Sequence, residues 1–376
     1  MFFARLAAPN LLPASCQQPQ ESRLHSPDRT QLLCDTPYYA VIIRMTPSTP
    51  PILGQLNSGV TQRHLIQLPG AALAGDEPRP IVTVCGAKTG PVLFVNAGVH
   101  GGEYPAIEAV IRLGRTLDPK AIAGTVILMP VLNLPAFKNR TMFVCPVDNV
   151  NPNRVFPGDP NGSYSEQMTH ALINEFVVHA DAYIDLHGGD IPEALVPFSI
   201  CRGGAEPGQA VEPVDVKSKE LAIAFGLPYV LTVSRPIQAA KGSSSYVAAA
   251  ERGIPAVLAE AGGVGQLQED AVELLVAGVK RVMAHLGMIE PVVDTTTATT
   301  PTVLTAFEWV YAKDAGMFYP GVAAGDLVQK DQEIGRIGSL FGDTLETVIA
   351  PVTGRVLFLT INPSVAQDGV LMGIGC

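Results

Sequence analysis

Apolar, β-branched runs recur through the middle of the chain and predict strands at Ile81 to Cys85, Val92 to Ala97, Val126 to Val131, Ala182 to Leu186, Leu195 to Ile200, Tyr229 to Val233 and Ala256 to Ala259. Between these runs the apolar residues change to helical spacing. Tyr104 to Leu117 carries Ile107, Val110, Ile111 and Leu113 on one stripe, and Ser165 to Val178, Val216 to Phe225, Ser244 to Arg252 and Gln268 to Leu286 follow the same logic. Strands alternating with helices predict an α/β domain on a largely parallel sheet buried on both faces. The periodicity stops at Glu290 to Thr302 (EPVVDTTTATTPT), whose Thr and Pro content predicts a linker. From Val303 to Cys376 the runs shorten and glycine punctuates them, which predicts a small all-β domain. The longest membrane-like stretch, Ala271 to Val293, is interrupted by Glu273, Lys280, Arg281, His285 and Glu290, so it reads as an amphipathic helix and no membrane span is expected.

Composition sharpens this outline. A chain of 376 residues with 47% hydrophobic and 16% charged residues is long enough for two domains plus extra pieces, and it does not have the make-up of a disordered or fibrous protein. The first 44 residues stand apart, with four Arg, no Lys and three acidic residues. Their apolar opening is broken by Arg5, Pro9, Asn10 and Pro13 before it reaches signal-peptide length, so Met1 to Arg44 is expected to be a disordered or over-extended tail. The α/β domain then spans 45–289, the linker 290–302 and the β domain 303–376. With 25 basic against 35 acidic residues and no basic run, nucleic acid and anionic membranes are poor partners, and a small molecule or a protein is expected instead. Six scattered cysteines without a CxxC pair suit reduced thiols, and hence a cytoplasmic protein.

The candidate chemistry sits where strands end. In open α/β sheets ligands bind beyond the carboxyl ends of the strands, and two such ends here carry histidine: Val99-His100-Gly101-Gly102-Glu103 after one apolar run, Leu186-His187-Gly188-Gly189 after another. His100 and Glu103, three apart at a loop-to-helix junction, can converge on one ion while the glycines let the backbone turn tightly, and His187 can add a third ligand. Two His and one Glu with an open fourth position is the make-up of a catalytic zinc site. Asp185, two residues before His187 on the same strand face, can orient its imidazole. By residue pattern alone, structural histidines at strand ends remain an equal alternative. A third strand end, PAVLAEAGGVG, places Glu260 where a general base would stand, or where a carboxylate would cap the next loop or pair with an arginine. The loop between the histidines holds Arg140, Asn153 and Arg154, whose guanidinium groups suit carboxylate capture or plain solvent exposure.

Four motifs in this order, His100-Gly101-Gly102-Glu103, Asn151-Pro152-Asn153-Arg154-Val155-Phe156-Pro157-Gly158, Asp185-Leu186-His187 and Glu260, resemble those of the succinylglutamate desuccinylase/aspartoacylase family, within the zinc carboxypeptidase-like superfamily. The resemblance spans nearly all of Met45 to Cys376. It implies a carboxypeptidase-like mixed sheet flanked by helices with a small C-terminal barrel-sandwich-like β domain. It also implies one Zn²⁺ held by His100, Glu103 and His187, a general base at Glu260, a carbonyl-polarising Arg140, and substrate contacts from Asn153 and Arg154. Where many members carry Asp-Gly-x-Asn-Leu-Asn-Arg, this chain has Asp148-Asn149-Val150-Asn151-Pro152-Asn153-Arg154, which alters the loop but leaves the ligands intact.

The implied activity is zinc-dependent deacylation of an N-acyl amino acid or related small amide. The alternatives are a C-terminal-specific peptidase, a cyclic-amide hydrolase, or a non-catalytic metal-binding protein. The β domain resembles biotinyl and lipoyl carriers, but the expected hairpin tip, Gly342 to Thr347, lacks the lysine that a carrier modifies. A role at the active-site entrance or in a homo-oligomer contact is expected for it. Loops such as Arg202 to Val214 are expected to wall the pocket.

Overall fold

The computed structural model describes residues 41–44, 57–204, 210–234, 242–291 and 300–376. The expected tail over residues 1–40 and most of the expected linker, 292–299, lie outside the described residues. Ten described strands form one sheet in the order β1-β2-β3-β5-β4-β6-β10-β8-β9-β11. They are β1 (Val41–Arg44), β2 (Val60–Gln67), β3 (Arg79–Cys85), β4 (Lys88–Ala97), β5 (Ala123–Met129), β6 (Ala182–His187), β8 (Phe198–Gly204), β9 (Tyr229–Ser234), β10 (Ala256–Glu260) and β11 (Thr302–Leu304). A separate short strand, β7 (Glu193–Leu195), joins the C-terminal β region. Among the described residues six α-helices accompany the strands: α1 (Tyr104–Thr116), α2 (Leu134–Asn139), α3 (Tyr164–Glu175), α4 (Pro213–Phe225), α5 (Ser245–Ala250) and α6 (Glu269–His285).

The apolar runs reflect burial on both faces. Along β4, Leu93, Val95 and Ala97 enter a core shared with α1 and α6, while Phe94 enters a second core shared with α3 and α5. The same alternation holds in β6, where Ala182, Ile184 and Leu186 face the first core and Tyr183 the second, and in β10, where Val257 and Ala259 oppose Ala256 and Leu258. A strand sandwiched in this way has no polar face to alternate with, so it reads as a continuous apolar segment.

The sheet is mixed and, as expected, largely parallel: six of its nine strand pairings run parallel. The centre, β5-β4-β6-β10, is parallel throughout, but β2 to β3, β3 to β5 and β10 to β8 pair antiparallel. Only Gly86 and Ala87 join β3 to β4, too few for a crossover, so those strands run in opposite senses and β5 inserts between them. Because β8 runs against β10, its far end points away from Glu260. Arg202, expected to open a pocket-wall loop, is instead fully buried there and pairs with Asp215 at 2.5 Å and Glu212 at 2.6 Å.

The C-terminal region is all-β. Its strands are β12 (Phe307–Tyr311), β13 (Gly316–Pro320), β14 (Leu327–Val328), β15 (Glu333–Gly338), β16 (Thr344–Ile349), β17 (Gly354–Thr360), β18 (Ser364–Val365) and β19 (Val370–Gly375). They form two antiparallel sheets, β12-β19-β17-β14 and β16-β15-β13-β18, around a core that includes Phe318, Ile334, Ile337, Val356 and Leu371. The β15–β16 turn falls at residues 339–343, slightly earlier than expected, and contains no lysine.

Strands connect what the sequence divides. β11, at the end of the expected linker, pairs with β9 in the large sheet, and β7 pairs with β17 in the β region. The last four residues of the expected tail form β1 and pair with β2. Among the described residues no helix is long and apolar enough to cross a membrane.

Candidate active site

Three neighbouring parallel strands at the sheet centre, β4, β6 and β10, end at the same edge. The loop after β4 carries His100 and Glu103, β6 ends on His187, and β10 ends on Glu260, which pairs in register with His187. Register-paired residues on adjacent parallel strands share a sheet face, so topology alone sets the Glu260 side chain beside His187. Gly98 makes the turn out of β4 at φ +65°, leaving Glu103 to cap α1 just before Pro105 in its first turn.

The two motif glycines have a different role from the expected tight turn, since neither adopts positive φ. They permit close packing. A Cβ on Gly101 would lie 2.2 Å from the backbone nitrogen of Phe137 in α2, and one on Gly102 would lie 2.1 Å from Asp190 Oδ1. Asp190 is itself fixed, accepting hydrogen bonds from the Phe143 and Ile191 amides at 2.7 and 2.6 Å. Gly101→Ala must therefore push His100 or α2 aside. It should cost about 1–3 kcal/mol of stability and loosen divalent-metal retention, read by thermal melting and by metal content after dialysis; wild-type values in both would show that the loop yields without consequence.

His100, Glu103 and His187 are buried, and each offers a ligand atom within 4.8 Å of the others. Both imidazoles use the same pattern. His100 Nδ1 faces Glu103 Oε1 at 2.7 Å and its Nε2 meets Asn151 Oδ1 at 3.0 Å; His187 Nδ1 faces Glu103 Oε2 at 2.9 Å and its Nε2 lies 3.1 Å from Asp185 Oδ2. Asn151 Oδ1 also accepts the Asn153 amide at 2.9 Å, which identifies that atom as the carbonyl oxygen. His100 Nε2 must then donate, and its neutral form turns the Nδ1 lone pair toward a carboxylate. Two acceptors at that distance repel unless positive charge, a second ring proton or a metal cation, lies between or beside them.

The electrostatics point the same way. Burial alone would raise the Glu103 carboxyl, but His187 and His100 outweigh it and hold its pKa at about 2. Burial opposes a charge on His187, and Asp185 and Glu103 overcome it and drive its pKa well above the usual value. Glu103 Oε2 and His187 Nε2 are buried without a well-formed hydrogen bond. Buried polar atoms seldom go unpaired, and a divalent cation ligated by the Nδ1 atoms and Glu103 would answer the excess of carboxylate charge. The residues present fit a metal: two imidazoles and one carboxylate, with Asn151 hydrogen-bonded behind the His100 ring and the Asp185 carboxylate in ion-pair contact behind the His187 ring.

Around this cluster stand further carboxylates. Burial, with Glu103, Glu193 and Asp185 adding and His187 opposing, keeps the Glu260 carboxyl well above its ordinary range. Glu193, at the start of β7, is pushed up to about 7 by burial and then by Glu103. The sequence pattern did not single out Asn151, Asp190 or Glu193. Asn151 stands inside the quoted loop motif, but nothing in that motif marks which Asn reaches a histidine 51 residues away.

The expected substrate residues divide. Asn153 is buried and its Oδ1 accepts the Ser245 amide at 3.1 Å. Arg140 is exposed at the left-handed C-cap of α2, and Arg154 is exposed with one guanidinium nitrogen donating to the Asn153 carbonyl at 2.8 Å. Neither arginine joins the hydrogen-bonded set around the histidines.

Comparison with known proteins agrees with this architecture. Residues 89–286 match the model of the succinylglutamate desuccinylase/aspartoacylase catalytic domain. The N-alpha-acetyl-L-2,4-diaminobutyric acid deacetylase of Halomonas elongata is 29% identical over 297 residues, covering 77% of this chain and 79% of that protein. The crystal structure of a succinylglutamate desuccinylase/aspartoacylase from Rhodobacter sphaeroides superimposes with a TM-score of 0.73 at 24% identity, covering 86% of this chain and 97% of that one. The product-bound ectoine utilization protein EutE (DoeB) of Ruegeria pomeroyi gives 0.71 at 22% identity, covering 79% and 89%. With more than half of its length under the family model, three of the four motifs at neighbouring strand ends and the fourth hydrogen-bonded to His100 through Asn151, the chain belongs to the succinylglutamate desuccinylase/aspartoacylase family.

Proposed function

We propose that this protein is a zinc-dependent deacylase that hydrolyses the amide bond of an N-acyl amino acid. The observation that carries the reading is the convergence of His100 Nδ1, His187 Nδ1 and Glu103, with Glu260 paired beside His187. Zinc bound there would supply Lewis acidity, polarising the amide carbonyl and making water acidic enough to lose a proton near neutral pH. Glu260 takes the proton of the attacking water and delivers it to the departing amine nitrogen. Its raised affinity for a proton favours the first half of that task, and the departing amine, more basic than a carboxylate, takes the proton in the second. Arg140 and Arg154, exposed and always charged, supply guanidinium groups for the substrate carboxylate and the developing oxyanion. Asn153, held in place by Ser245, supports that loop.

The curated relative's substrate sets the first candidate to try. N-α-acetyl-L-2,4-diaminobutyrate carries a second amino group, and the half-buried Glu193 carboxylate near Glu103 and Glu260 gives such a cation a partner. The test is a panel of N-acetyl, N-succinyl and N-formyl amino acids together with this compound, scored by released amine. Treatment with a strong chelator followed by dialysis should abolish turnover, and one equivalent of Zn²⁺ should restore it. Hydrolysis that survives metal removal would sink the zinc mechanism. A zinc-loaded protein inert toward the whole panel would leave a metal-binding protein with no deacylase activity.

A further inference from the structure

The loop motif and the metal ligands meet at a residue that neither contains. Asp185 and His187 lie on the β6 face that looks toward α3 and α5, alternating with Ile184 and Leu186 on the other face. At the start of α5, Ser245 is fully buried, and its hydroxyl donates to Asp185 Oδ2, the same oxygen that lies 3.1 Å from His187 Nε2. The backbone amide of Ser245 donates to Asn153 Oδ1 at 3.1 Å. Three residues after Asn153 and two before Ser245, Phe156 and Ser243 exchange backbone hydrogen bonds at 3.0 and 2.7 Å. The loop of residues 151–158 is thus fastened to the segment that precedes α5, and that segment is fastened to the carboxylate behind a metal ligand.

We propose that Ser245 is a positioning residue that couples the substrate-binding loop to the metal ligand His187. The inference rests on the zinc reading of the site. With its hydroxyl in place, Asp185 has one oxygen fixed by a buried donor and holds that oxygen 3.1 Å from His187 Nε2, an ion-pair contact that favours the ring orientation with Nδ1 toward Glu103. Through its amide, the same residue holds the Asn153 side chain, and with it the backbone on which Arg154 is mounted. Movement of the loop on substrate binding is transmitted to Asp185 through Ser245 rather than through bulk packing, because both hydrogen bonds originate on one residue and both acceptors are buried.

The test measures zinc affinity by competition with a chromophoric chelator, and KM and kcat separately, in Ser245→Ala, Asp185→Asn and the double variant. Loss of an outer partner of a ligand weakens metal binding about 10- to 100-fold, so Ser245→Ala is expected to bind zinc about tenfold more weakly and to raise KM. In the Asp185→Asn background the Ser245→Ala change should add no further loss of zinc, since the carboxylate that Ser245 orients toward His187 is already gone. Ser245→Thr, which keeps the hydroxyl, should restore zinc affinity relative to Ser245→Ala. Wild-type zinc affinity and KM in Ser245→Ala, or additive losses in the double variant, would overturn the coupling. A lowered melting temperature with unchanged zinc affinity would also overturn it, because it would assign Ser245 to packing alone. Failure of the wild-type chain to bind zinc at all would instead remove the underlying site reading, so the two failures are separable.

Discussion

Replacing Glu260 by Gln is expected to lower kcat by about 10²- to 10⁴-fold, the range over which a positioned acid–base group contributes, while zinc content stays at one per chain. The substitution keeps the shape of the side chain and removes only its ability to accept and return a proton. Glu260 ends β10 beside His187, and its carboxyl is surrounded by Glu103, Glu193 and Asp185. Removing one carboxylate from that set relieves like-charge repulsion, so the melting temperature should hold or rise even as turnover collapses. A protein that is inactive, fully metallated and no less stable would have lost a catalytic group and nothing else. Turnover near wild type in Glu260→Gln would take the base assignment away and direct attention to Glu193, the next carboxylate at the site.

His187→Ala is expected to have the second large effect, the loss of metal itself. His187 is almost fully buried, faces Glu103 with Nδ1 and has Asp185 behind Nε2. Its removal takes away one of three protein ligands and leaves the buried Asp185 with the Ser245 hydroxyl but without its imidazole counterpart. The loss of zinc affinity should exceed the ~10–100-fold typical of an outer partner, and dialysed protein should hold well under one zinc per chain, with activity falling in proportion. Asp185→Asn measured alongside should fall between this variant and wild type. Full metallation and activity in His187→Ala would strike the residue from the ligand set. Burying the Asp185 charge without its ion-pair partner also destabilises, so the zinc measurement is made on protein whose circular dichroism matches wild type.

The parts of this fold that could be read from the sequence are those governed by short-range rules. Each central strand announced itself because burial on both faces leaves an unbroken apolar run, and α1 and α6 because their stripes face one core. His100, Glu103 and His187 stood out because chemistry-bearing residues interrupted those runs at strand ends. What escaped depends on partners far away in the chain. β2 mixes polar residues with few apolar ones, His64 and Ile66 being buried, and becomes a strand by pairing with β3, and α2 is six residues containing a proline, held by Asn133 and by its packing on Gly101. β7 and β11 are three residues each and have no pattern of their own. The outer shell of the site was legible only where it lay two residues from a ligand, as with Asp185. Asn151 reaches His100 across 51 residues and Ser245 reaches Asp185 across 60, distances over which spacing carries no signal.

The pairing of β7 with β17 also gives the molecule a built-in optical probe. The chain's single tryptophan, Trp309 in β12, packs edge-on against Phe358 of β17 with ring centroids 5.4 Å apart, and Phe358 pairs directly with Leu195 of β7, two residues from Glu193. Indole fluorescence therefore reports from one place only, the sheet that shares a strand with the catalytic half. A denaturant or ligand that loosens that seam changes the emission without contamination from any other indole, so the opening of the C-terminal region can be followed in the same cuvette as the reaction it borders.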